Sequence, residues 1–155
     1  MSSLMDLVAG DARDVVLALS VDDPGAFSDP DRFTAHLPLG GGLDPTWLDL
    51  FSEAVRSITG QGEPVDFLDA RSELDGPAAV ERIVERVDAE WVEAVAAVPD
   101  DLHGALAASW IELLEEELGL LPREEKPWIR DLAGRIVVFS REASGARDVI
   151  FAWGF

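Results

Sequence analysis

The stretch from Asp44 to Gly60 carries a pattern that an amphipathic helix laid on a core satisfies. Asp44 is suited to cap it, and Pro45 suits the first helical position, where a missing N–H is not felt. Trp47, Leu48, Phe51, Ala54, Val55 and Ile58 fall on one face at helical spacing, with Asp49, Ser52, Glu53 and Arg56 opposite. Gly60 supplies the stop. So large an apolar face requires a partner surface, and the chain has one to offer. Apolar residues make up 48% of its 155 positions, including five Trp and seven Phe. That is the core of one ordinary domain, and no stretch of residues 1–155 reads as a linker.

Other segments follow the same logic. Leu4, Met5, Leu7 and Val8 are expected to form a short helix ending near Gly10. Val15 to Val21 is an apolar run that periodicity assigns to neither helix nor strand. An irregular stretch is expected from Asp22 through His36 to Gly42. Pro64 to Asp69 reads as a short strand. Asp75-Gly76-Pro77 opens a helix with Val80, Ile83, Val84 and Val87 inward; Trp91, Ala94, Val95 and Val98 continue its phase, so the segment is either one long helix to Val98 or two, with Asp88 capping a second that bears Trp91 and Val95. After Pro99, a further helix buries Leu102, Leu106, Trp110, Leu113, Leu114 and Leu118; Gly119 ends it, and Leu120 is placed to pack onto its last turn. Near the C-terminus, Trp128, Ile129, Leu132, Ile136, Phe139 and Ala143 match helical spacing, against a competing strand at Ile136 to Phe139. Helix is the better fit, followed by a strand at Val149 to Trp153. The expected fold is therefore α+β and mainly helical, with five or six helices around a small sheet that includes the C-terminal strand.

Charge narrows the function. Thirty-one acids face twelve bases, a formal net charge of −19. Such a surface repels phosphate backbones and anionic membranes, so neither is an expected partner. A basic protein is the partner that this charge would attract. The alternatives are solubility or adaptation to salt. Met1 to Asp6 lack the basic start and long apolar stretch of a signal peptide, no apolar run reaches the roughly 18 residues of a bilayer span, and there is no cysteine. A cytoplasmic location is expected; oligomeric state is left open.

Catalytic and metal chemistry find little to stand on. His36 and His103 are the only two histidines, and they share no ligand-spaced cluster. Gly40-Gly41-Gly42 precedes Leu43-Asp44, with no lysine to reach a phosphate. Asp22, Asp23, Asp29 and Asp31 lack the spacing of a calcium loop. No cofactor, metal or catalytic residue is assigned, although paired carboxylates keep a small hydrolase as the alternative function.

The local oddity is an acidic cluster, Glu112, Glu115, Glu116 and Glu117, at the end of a helix. The helix dipole disfavours acids there by about 0.3–1 kcal/mol each, and Glu112 repels Glu116 one turn away. Such violations mark places where something else compensates. Glu117 falls between Trp110 and Leu113-Leu114, and is expected to form an internal ion pair with Arg123, Arg130 or Arg135. Glu112, Glu115 and Glu116 are the candidate partner-binding residues.

Leu43-Asp44-Pro45-Thr46-Trp47, Asp75-Gly76-Pro77-Ala78 and the closing helix and strand together resemble the YfbM-like small bacterial proteins of unknown function. That resemblance implies a compact α+β fold and no particular activity. Trp110 to Pro122 also resembles the first helix of SUKH-type immunity proteins, but too little chain follows it to complete that fold. The function expected is a non-catalytic protein-binding domain of regulatory or immunity type.

Overall fold

The computed structural model describes residues 4–20, 29, 31, 33–40, 45–60, 66–67 and 82–154. Its elements run β1 (Leu4–Gly10), α1 (Ala12–Ser20), β2 (Ala35–Gly40), α2 (Pro45–Thr59), β3 (Arg82–Arg86), α3 (Ala89–Ala96), α4 (His103–Leu118), α5 (Lys126–Ala143) and β4 (Asp148–Gly154). A turn of 3-10 helix, Asp100–Leu102, leads into α4. Among the described residues this is an α+β fold with five helices and a four-stranded sheet of order β2-β1-β4-β3, every pair antiparallel.

The sheet is covered on both faces. Leu7, Leu37 and Phe151 lie in register across β1, β2 and β4 and face the main core. Val8, Ile150 and Ala152 face the other way, onto Val15 and Ala18 of α1 and onto Phe33. Burial on both faces explains why β1 does not read as a strand. Leu7, Val8 and Ala9 are all fully buried, so the alternation that would betray a period of two is lost. The short helix expected there is thus a central strand, while the ambiguous run after it is α1.

Two further expectations are corrected. The segment containing Ile83 and Val84 is strand β3, paired with β4 from Arg82↔Gly154 to Arg86↔Ile150. The helix begins only at Asp88, whose side chain accepts from the Glu90 N–H at 2.8 Å. The expected helix start at 75–81 lies outside the described residues. The irregular stretch before Gly42 contains β2, whose Ala35, Leu37 and Leu39 alternate inward. Pro38 argues against a strand in the middle of a sheet, but β2 ends the strand order, where a missing N–H is tolerated. Of the strand expected at 64–69, Asp66 and Phe67 alone are described, and Phe67 sits in a bend. Its N–H donates to Asp49 and its carbonyl accepts from the Asp88 N–H.

Helices α2, α3, α4 and α5 cover the main face, and an aromatic network joins α2, α3 and α4 to β4. Phe51 stacks edge-on to Trp110 with centroids 4.8 Å apart, and Phe67 does so to both Trp91 and Phe151. The two indole N–H groups are buried and donate to α2 carbonyls, Trp91 to Leu48 at 3.1 Å and Trp110 to Trp47 at 2.8 Å. These bonds matter because an unmet buried donor costs about 1–3 kcal/mol. On the far face, Asp148 accepts from the Ala12 N–H at 3.0 Å and meets Arg86 at 3.2 Å. One carboxylate thereby ties the positive end of α1 to β3 and β4.

Both readings near the C-terminus resolve to helix then strand. Residues 136–139 lie inside α5, and Gly145 turns the chain into β4 with φ at 92°.

Candidate functional site

Helix α4 is a core element whose last turn overhangs. Leu106, Ala107, Trp110, Ile111 and Leu114 are buried, and burial stops there. The last turn projects past the core, so Leu118 is 50% exposed although it continues the apolar spacing. Gly119 adopts φ 92° and donates to the Glu115 carbonyl, ending the helix as its sequence position suggests. Leu120 does not pack onto the last turn; it is 91% exposed. Leu121 takes the inward position instead, packing against the core while its N–H donates to Glu115 at 3.3 Å.

The four glutamates divide accordingly. Glu115 is the enclosed one, accepting from Leu121 and lying 3.4 Å from Lys126, the chain's single lysine. Glu112, Glu116 and Glu117 are exposed. Glu117 has no ion-pair partner among the described residues, so the internal pairing expected of it is found at Glu115. Glu117 keeps the helical phase of Trp110 and Leu114, but the core ends at Leu114, so its position opens to solvent. The helix turns by roughly 200° over two residues, which carries Glu117 away from the α5 side that Glu115 faces. Three of the acids thus stand in solvent at a helix end that has no basic residue in its last turn.

Their surroundings add what sequence alone did not show. Trp128, expected in the core, is 41% exposed in the first turn of α5. The segment joining α4 to α5 therefore exposes three large apolar residues, Leu118, Leu120 and Trp128, in the same stretch of chain as the exposed Glu112, Glu116, Glu117, Glu124 and Glu125. Exposed apolar residues grouped on one surface and rimmed by charge are the usual make-up of a protein-binding patch. The available signal was the abrupt Leu118-Gly119-Leu120 sequence, where apolar residues continue past the helix stop.

By contrast, the junction between α3 and the far end of α5 is closed. Arg141 donates to the carbonyls of Ala96 and Val98 and to Asp100, the last at 2.6 Å. The hydrogen bond and charge of Arg141 hold the Asp100 carboxyl below its ordinary pKa.

A third feature is a cleft of about 420 Å³ between β2, the start of α4 and the exposed side of α5. It brings His36 and His103 together with Asp131, Arg135 and Glu142. His36 is bonded to Asp6 at 2.8 Å. The His103 Nε2 is buried without a hydrogen bond, 3.7 Å from Asp100. Among the described residues, no group of three or more His, Asp or Glu is placed to hold a metal ion, and no helix is long and apolar enough to cross a membrane.

Comparison with known proteins finds no match to a family model, to a curated protein or to a solved structure.

Proposed function

We propose that the chain is a non-catalytic binding domain of regulatory or immunity type that docks a basic protein segment on its α4–α5 corner. The observation that carries this is the coincidence of Leu118, Leu120 and Trp128, all exposed, with Glu112, Glu116 and Glu117, none of them neutralised by a base among the described residues. Apolar residues supply contact area on docking, and aromatic anchors carry a large share of interface energy. The acids select a basic partner and speed its approach. The candidate binding residues are therefore Glu112 and Glu116 together with Glu117, while Glu115 holds the corner in shape through Lys126 and Leu121.

We further propose kinship with the YfbM-like proteins, on the Leu43 to Trp47 motif, of which Pro45 to Trp47 open α2 and Leu43 and Asp44 lie outside the described residues, and on the terminal helix and strand. The Asp75 to Ala78 motif of that likeness lies outside the described residues. A cytoplasmic location goes with this reading.

Affinity capture with the purified chain, followed by identification of what it retains, tests the docking site. The expected partner carries a basic segment, and replacing Glu112, Glu116 and Glu117 with lysine abolishes its capture. Reversing Glu90 and Glu93 on the exposed side of α3 serves as the control and leaves capture intact. Equal loss in both variants would reduce the effect to net charge, and undiminished capture by the corner variant would end the assignment.

A further inference from the structure

A second site is carried by different residues. Both histidines of the chain line the cleft beside α5, and its volume of about 420 Å³ is that of a small-molecule site. Asp131, Arg135, Val138 and Glu142 recur at helical spacing and form one stripe of α5 along it. Phe139 and Leu37 are buried and give the cleft an apolar wall.

Gly134 lies in the same stretch, in the interior of α5, where glycine is a poorer choice than alanine. Nothing in the packing of the described residues requires it. Its backbone is helical, and a Cβ added there would meet only His103 Nδ1, at 4.0 Å, an ordinary contact. What the missing methyl does is leave open space on the cleft wall beside the imidazole.

The charges around this space do not cancel. Asp131 is 3.8 Å from Arg135, Asp100 is bonded to Arg141, and Asp6 to His36. Glu142 is exposed and has no ion pair among the described residues. Glu142 thus adds a carboxylate with no ion pair among the described residues to a cleft of mixed polar and apolar lining, in a chain whose net charge of −19 draws cations and repels anions.

We propose that this cleft binds a small organic cation, an amine or guanidinium head on an apolar body. The head meets Glu142, and the body lies over Gly134 and Val138 against His103. The site is separate from the α4–α5 corner and stands whether or not the corner docks a protein.

Titration of isotopically labelled protein with benzylamine, and with benzoate as an anion of similar size, reads the site by NMR. Saturable shifts at His103, Gly134 and Glu142 with benzylamine, and none with benzoate, are the expected result. Glu142→Gln weakens benzylamine binding by about fivefold, the loss of one partly exposed ion pair. Gly134→Ala raises the unfolding temperature yet weakens binding by about fivefold or more, because its methyl occupies the space the ligand uses. Absence of a saturable shift overturns the proposal, as does benzoate binding equal to that of benzylamine. Full affinity in either variant also overturns it.

Discussion

At the end of α3, the carbonyls of Ala96 and Val98 receive the guanidinium of Arg141, and the acid that follows, Asp100, is bonded to the same group. At the end of α4 no base stands in the last turn, and Glu116 and Glu117 face solvent beside carbonyls of like polarity. Both helix ends pose the same electrostatic problem, negative partial charge with carboxylates nearby. The fold answers it at α3 and leaves it open at α4. Three glutamates with no ion pair among the described residues, in a segment that also exposes two leucines and a tryptophan, are the departure on which the docking proposal rests.

The largest test of this contrast is on the closed side. Arg141→Met removes three hydrogen bonds at once and is expected to lower unfolding free energy by about 2 kcal/mol, measured by urea titration. A loss under about 0.5 kcal/mol would mean that α3 is held by packing alone, and the contrast would disappear. On the open side the sign reverses. Replacing Glu112, Glu116 and Glu117 together with glutamine is expected to stabilise the chain by about 1–2 kcal/mol at low salt. The gain should shrink as salt screens the exposed charges. Destabilisation instead would show that these acids have partners in the fold and are not held at a cost. The smallest effect is in pH. The folded-state pKa of Asp100 lies below its ordinary 3.8, so its contribution is present above that value and lost as pH falls through the folded pKa. The native chain and Asp100→Asn should therefore differ in stability at neutral pH and converge in strong acid. A constant difference down to pH 2 would detach Asp100 from Arg141.

Legibility from sequence followed burial geometry. Helices with one apolar face, α2 and α5, were readable almost to their ends, because a single buried stripe leaves its period in the residues. Gly119 and Asp88 announced their roles for local reasons, a positive φ and a capping carboxylate. Strands β1 and β3 carry residue patterns that fit a helix. Burial on both faces removes alternation from β1, and Ile83, Val84 and Val87 fit a helical phase by chance over a segment of five residues. Strand β2 was hidden by Pro38, acceptable only because the strand lies at the end of the sheet order. At the corner, the four glutamates were visible as a cluster, but their division was not. A helix wheel assumes that the core extends along the whole helix, whereas α4 outruns its core after Leu114.

What the sequence determined by itself was the α+β class, most helix limits, the acid excess and the anomaly at Glu112 to Glu117, since each is written in composition or in contacts within a turn or two. Tertiary structure decided which of those glutamates faces Lys126, that Trp128 and Leu120 stand in solvent, and that His36 and His103 share a cleft. Those facts depend on where one helix ends relative to another, and separations of that kind leave no period in the chain.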